Sequence, residues 1–450
     1  MSRASWGLVV HSLDADETLV SLNAARLFVP ASALKLVSAA SAADAVGWNY
    51  RFETTVLASG PVEDGALRGD LIVAGSGDPS TGDPSTSDPS TNTVERDDLA
   101  DFVAAVRRAG VRRIEGRVIG DDDATDEPRP QLAWTWDDLG YATGALFGAL
   151  NLDENRTAVR VTPGAREGAP TRVDFAGAAA RRLRNRSVTG AAGSDRLLWP
   201  EQRPGEPFLT IDGTIAAGSP PAEVRIAVGN PTLWFASALR ARLVADGVEV
   251  TGAAVDIDDV DPPDREGLTV LYTHRSLPLS ELVGPLLKDS VNVYGEALLR
   301  LNASPEAFPT NDAALEGLGT RLTAWGVPAD GYQIVDGSGL SRRNALSPEA
   351  LLVVLRRVWA AGIESPLVAA LPVAGVDGSL ASRMAGTAAE GRVLAKTGSM
   401  SNIRSLAGYA RTAGGETLAF VIFVNNFEGD GAMATAAVDA IAVRLASFTR

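Results

Sequence analysis

Three lysines stand among 41 basic side chains, Lys35, Lys288 and Lys396, and each lies inside or beside a short polar motif. The arginine bias reads as codon composition, but lysine at these three positions marks candidate chemistry. An arginine keeps its proton inside a protein, whereas a buried lysine can become a neutral base. The first motif is Ser32-Ala-Leu-Lys35, in a helix-favouring stretch. Its spacing puts hydroxyl and amine on one face, one turn apart, and the helix start favours negative charge developing on the serine oxygen. The second is Ser290-Val-Asn292, two positions beyond Lys288. The third is Lys396-Thr397-Gly398-Ser399, where a lysine leading a strand can hold a carboxylate while backbone N–H groups reach a carbonyl oxygen. Glycine there lets a substrate backbone approach closely. Singly, these motifs read as a solvated helix face, an uninformative tripeptide and a lysine guarding an edge strand. In this order they form one signal, a serine nucleophile with its base and an anion holder.

The elements that must position these residues are legible in outline. A strand is predicted over 7–11, helices over 233–245, 277–301, 313–325, 348–361 and 431–447, and a buried strand over 418–424. Between 54 and 264 the pattern is short strands and Pro/Gly turns, and after Pro262-Pro263 it turns helical. The two ends therefore read as one α/β domain, 1–53 with 265–450. A mostly β region, 54–264, is inserted between them as two smaller subdomains. The period GDPST-GDPST-SDPST over 77–91 reads as an expanded surface loop, and Asp121-Asp122-Asp123 as a solvated turn rather than a metal site.

Composition removes several classes of function. There is no cysteine and there are two histidines, His11 and His274, so cysteine nucleophiles, disulfides, thiolate zinc sites and His-rich metal sites are excluded. A Ser-His-Asp triad would rest on one of those two histidines, neither in a catalytic setting. A net charge of −15 opposes phosphate-backbone binding, so no nucleic-acid partner is expected. No run of 18 apolar residues occurs, so no transmembrane segment is expected. The D-G-[ST] triplets at Asp212, Asp336 and Asp377 are ordinary turns, not the D-[ST]-G of an aspartic peptidase.

With the three motifs, the segments FVPASALK (28–35), GDLIVAGSGDP (69–79), DGSGLSR (336–342), PVAGVDGS (372–379) and AKTGS (395–399) resemble the penicillin-recognising serine peptidases. The chain is most similar to their low-molecular-mass class C penicillin-binding proteins, the D-alanyl-D-alanine carboxypeptidase/endopeptidase family. The similarity extends over nearly the whole chain, including the long insertion between the first two motifs. It implies a penicillin-binding/β-lactamase-like transpeptidase domain, an antiparallel sheet flanked by helices, with a large, mostly β insertion. Val291 departs from the Asp or Asn frequent in the family. No export signal precedes the first strand, and an upstream leader with a short helix is expected.

The resemblance also implies roles. Ser32 attacks the penultimate D-alanine carbonyl. Lys35 is the base, its pKa lowered by burial and by the charge of Lys396. Ser290 relays the proton to the leaving amine, and Asn292 orients Lys35 and the substrate amide. Lys396 and Thr397 hold the terminal carboxylate, Gly398 and Ser399 complete the substrate edge, and the N–H groups of Ser32 and Ser399 form an oxyanion hole. No metal or organic cofactor is required. Peptidoglycan stem peptides and β-lactams are the expected partners, in an extracytoplasmic space. The alternatives are a β-lactamase or esterase of the same fold, or a non-catalytic wall-binding protein.

Overall fold

The computed structural model describes residues 3–82, 97–175, 182–261, 263–429 and 431–450. Its central sheet is antiparallel and drawn from both ends of the chain. The order is Glu17–Leu22, Ser5–Ser12, Thr417–Asn425, Ile403–Arg411 and Val393–Met400. The middle strand is apolar without interruption because both of its faces are covered. Leu418, Phe420, Ile422 and Val424 pack with Val438 and Ala442 of the helix Ala432–Ala446. The alternate residues Ala419, Val421 and Phe423 face Val37, Leu351 and Leu355 of the helices Lys35–Val46 and Pro348–Trp359. Period-2 alternation thus sorts one strand's side chains into two cores.

Helix starts follow local chemistry. Ser347 Oγ accepts from Ala350 N at 3.1 Å ahead of Pro348, and Thr310 Oγ1 accepts from Ala313 N at 3.1 Å ahead of Asn311–Ala324. The predicted helix over 277–301 is two, Leu279–Lys288 and Asn292–Arg300, with Ser290 between them at φ +63°. A non-glycine residue there costs about 1–2 kcal/mol, so tertiary packing outweighs the helical periodicity that spans the break.

In the inserted region a five-stranded sheet runs Ala254–Asp256, Val118–Asp121, Leu71–Gly75, Glu53–Ala58, Thr269–Arg275. It packs on the helices Asp98–Arg108 and Pro231–Ala245 through Phe102, Phe235 and Leu239. A second core gathers Val159, Val161, Leu209, Ile211 and Ile226 from smaller sheets. We propose a catalytic unit and an insertion with two subdomains, on the strength of these separate cores. Because Thr269–Arg275 pairs with Glu53–Ala58, the division we propose keeps both strands in the insertion, which moves its limits from 54 and 264 to 53 and 275.

Two loop expectations need correction. Within 77–91 only residues 77–82 lie among the described ones; there Asp78 and Thr81 are buried, so this part is packed rather than a surface loop. In the acidic run, Asp121 and Asp122 are buried and only Asp123 is exposed. Both buried residues are enclosed where the strand Val118–Asp121 ends against the helix Pro231–Ala245, whose Thr232 hydroxyl donates to Asp122. Among the described residues, no helix is long and apolar enough to cross a membrane.

Candidate active site

Ser32 sits in a short 3-10 turn, Ala31–Leu34, that passes directly into the helix Lys35–Val46. Lys35 is fully buried, and its Nζ has three oxygen neighbours: Ser32 Oγ at 3.1 Å, Asn292 Oδ1 at 2.6 Å and the Ser338 carbonyl at 2.7 Å. Two of these are pure acceptors. A neutral amine can therefore donate both protons to Asn292 and Ser338 and keep its lone pair for the Ser32 hydroxyl. That is the hydrogen-bonding state a general base needs.

Burial pulls the Lys35 amine down to about 7, against the carboxylates of Asp336 and Glu296, which push it up. The sequence assigned part of this depression to Lys396. Instead, burial first and then Lys35 lower Lys396, which lies well below the ordinary lysine range while Asp289 opposes. With Lys35 proposed as the base for acylation of Ser32, its neutral amine is the competent form, and the rate should rise with pH through about 7. Below that value it should fall toward tenfold per pH unit as Lys35 takes up its proton. A rate flat from pH 5 to 9 would contradict the assignment of Lys35 as base.

Lys396 lies in the edge strand Val393–Met400, yet it is fully buried, so it is no guard of that edge. Its Nζ donates to Ser290 Oγ at 2.8 Å and to the Thr397 carbonyl at 3.0 Å. The left-handed backbone at Ser290 interrupts the two helices where its hydroxyl meets this amine. Asn292 opens the following helix, and its Nδ2 donates to the Thr143 carbonyl of the insertion at 2.7 Å, so one amide proton is already engaged. Thr397 Oγ1 donates to Ser379 Oγ at 2.7 Å, and Ser399 is exposed along the edge.

Gly398 has a different use from the one the sequence suggested. A Cβ there would meet Ser405 Oγ at 2.0 Å, the Pro30 carbonyl at 2.8 Å and Ser32 N at 3.0 Å. Its small size lets the Lys396 strand lie directly on the turn that carries Ser32. Lys288 belongs to the surroundings: it pairs with Asp377 at 2.5 Å and so anchors the turn that presents Ser379 to Thr397. His11 hydrogen-bonds Thr18 and Asp16, and His274 packs beside Phe102; neither is among the partners of Ser32 or Lys35.

Sequence reasoning missed the buried carboxylates behind Lys35. Glu296, one turn after Asn292, accepts from Ser338 N at 2.9 Å and from Gly337 N at 3.2 Å. Asp336 accepts from Gly339 N at 2.8 Å, Ser341 N at 2.6 Å and Trp134 Nε1 at 2.8 Å. These bonds fold the 336–341 loop so that the Ser338 carbonyl meets Lys35. At Gly339, φ +83°, a Cβ would lie 2.1 Å from the Ala31 carbonyl, so this glycine is required. The signal was the i, i+4 spacing of Asn292 and Glu296.

The geometry can be set beside known proteins. Residues 1–448 match the family described as the D-Ala-D-Ala carboxypeptidase 3 (S13) family. A D-alanyl-D-alanine carboxypeptidase from an Actinomadura species is 36% identical over 98% of this chain and 81% of its own length. The crystal structure of penicillin binding protein 4 from Haemophilus influenzae superposes with a TM-score of 0.83 at 23% identity, covering 99% of this chain and 97% of that one. The same protein complexed with a β-lactam gives a TM-score of 0.80 at 23% identity, covering 100% and 98%. The α/β penicillin-binding fold expected from the motifs is the one this chain has.

Proposed function

Because the chain belongs to this D-Ala-D-Ala carboxypeptidase family, we propose that its peptidase chemistry runs through a Ser32 acyl-enzyme on peptidoglycan stem peptides. The observation that carries this reading is the Lys35 amine, buried and 3.1 Å from Ser32 Oγ with its other two contacts to carbonyl-type oxygens. Ser32 Oγ attacks the carbonyl carbon of the penultimate D-alanine as its proton passes to Lys35 Nζ. The C–N bond then breaks, and the proton reaches the departing amine through Ser290, which the Lys396 contact holds in reach. D-alanine leaves, water attacks the ester carbonyl as its proton passes to Lys35, and Lys35 returns that proton to Ser32 Oγ as the C–O bond breaks and the shortened peptide departs. No step calls for a metal or an organic cofactor.

Lys396 and Thr397 are the proposed holders of the substrate's terminal carboxylate. An arriving anion would favour the charged form of Lys396, against the burial that lowers its pKa. The N–H groups of Ser32 and Ser399 are the proposed oxyanion donors, each typically worth about 2.7–4 kcal/mol. Stem peptides place the working site outside the cytoplasm, and a β-lactam, which mimics the D-Ala-D-Ala terminus, would acylate the same serine.

A fluorescent penicillin should label the protein once, with the adduct mapping to Ser32 by mass spectrometry. Isolated muropeptides should lose D-alanine in the same preparation. An adduct at another residue, or none, would defeat this assignment. Rapid penicillin turnover without accumulation would favour a β-lactamase, and cleaved crosslinks in the muropeptide products would identify endopeptidase action.

A further inference from the structure

The turn that follows the strand Val118–Asp121 concentrates negative charge away from Ser32. Carboxylate oxygens of Asp122, Asp123 and Glu127 lie within 4.8 Å of one another, a span that fits ligands on opposite sides of one ion at about 2.4 Å each. Asp122 is 2% exposed. Its Oδ2 accepts from the Thr232 hydroxyl, while its buried Oδ1 accepts no hydrogen bond. A sealed carboxylate oxygen without a donor is costly unless a cation or a proton satisfies it.

The surroundings offer little positive charge. Arg265 reaches Asp121 at 3.1 Å and Asp123 at 2.6 Å. Among the described residues, no basic side chain forms an ion pair with Asp122 or Glu127. Asp256 and Asp258 add further charge of the same sign. Burial and these neighbours raise Asp122 to about 6 and Glu127 to about 7.

We propose that the 121–127 turn binds a hard divalent cation of the calcium class, through the carboxylates of Asp122, Asp123 and Glu127. All three ligands are oxygens, and no nitrogen or sulfur ligand joins the group, which selects calcium or magnesium over softer metals. The spacing and the mixture of buried and exposed ligands suit flexible calcium coordination better than the strict octahedron of magnesium.

The ion would act on the framework, not on acyl transfer. Within the same turn, Thr125 Oγ1 donates to the Pro309 carbonyl at 2.7 Å and Arg300 Nε donates to Asp126 Oδ1 at 3.0 Å. Arg300 closes the helix that begins at Asn292. The cation would thus brace the insertion against the helix that holds Lys35 in place.

The test is calorimetric titration of the chelator-treated full chain with calcium chloride near neutral pH, alongside thermal unfolding. One saturable site is expected, with a Kd at or below roughly 10⁻³ M, a calcium-dependent rise in Tm and net proton release. Magnesium should bind at least about tenfold more weakly. Asp122→Asn and Glu127→Gln should each weaken binding by about tenfold or more. Glu127 is exposed, so its variant tests the site even where Asp122→Asn fails to fold. No heat and no Tm change up to about 10 mM calcium, an order beyond weak extracellular sites, would overturn the proposal. So would unchanged binding in the Glu127 variant, or tighter binding of magnesium.

Discussion

Lys35→Arg is expected to lower the rate of acylation by a penicillin by about 10²–10⁴-fold, the span that loss of a positioned general base produces. A guanidinium cannot release its proton at any working pH, so the variant keeps a cation and loses the base. Because Lys35 is fully buried, a bulkier charged group also threatens the fold. Lys35→Met separates the two effects, since it keeps volume without charge; it should lose acylation to the same degree while its Tm stays near that of the parent. Lys396→Arg supplies the contrast. It preserves positive charge beside Ser290 and should retain measurable acylation with weakened substrate binding. If either Lys35 variant stays folded and acylates nearly as fast as the parent, the base lies elsewhere.

The second large effect is expected from a single methyl group. Gly398→Ala places a Cβ against Ser405 Oγ, Pro30 O and Ser32 N, all at 3.0 Å or less. Ser405 cannot rotate away freely, because its hydroxyl donates to the same Pro30 carbonyl at 2.7 Å. The other two contacts are backbone. The Lys396 strand and the Ser32 turn must therefore separate, and a displacement near 1 Å at a reacting centre costs about 10²-fold. Stability should fall by about 1–3 kcal/mol, the usual cost of overpacking. The acylation rate constant and Tm of Gly398→Ala, measured together, check both parts. Acylation within threefold of the parent would show that this close packing is not what aligns Ser32. The double variant Gly398→Ala/Ser405→Ala should recover only part of the loss, since Pro30 O and Ser32 N remain in the way.

What was legible in the sequence was local chemistry and strong periodicity. The pair Ser32 and Lys35 follows from helical spacing, and the strand over 418–424 from an unbroken apolar run realised as Thr417–Asn425. What escaped depended on contacts between distant segments. The break at Ser290 is invisible to a hydrophobic pattern that continues across it. The burial of Asp121 and Asp122 depends on a helix more than 100 residues away, so an acidic triplet looked like solvated surface. Glu296 and Asp336 matter through backbone N–H groups, and of the two only Glu296 left a trace in side-chain spacing, four residues after Asn292. The proposed limits of the insertion differ from those read in the sequence because Thr269–Arg275 finds its partner strand at Glu53–Ala58, across the whole intervening region.

The pairing of Ser5–Ser12 with Thr417–Asn425 also carries a consequence for biosynthesis. The earlier of these two strands to leave the ribosome must wait for the later, since Trp6 pairs with Val424 and Ser12 with Leu418. At ~5–20 residues per second, roughly 20–80 s of translation separate them. During that interval the proposed insertion has all its own strands, while the turn bearing Ser32 and the helix after it have no sheet to rest on. Such long-range closure is slow, and the side of Ser5–Ser12 away from Glu17–Leu22 is an exposed edge until it occurs. The site proposed around Ser32 is therefore completed late, when Lys396 arrives on the returning chain, so a nascent or prematurely terminated polypeptide carries the proposed nucleophile without the means to use it.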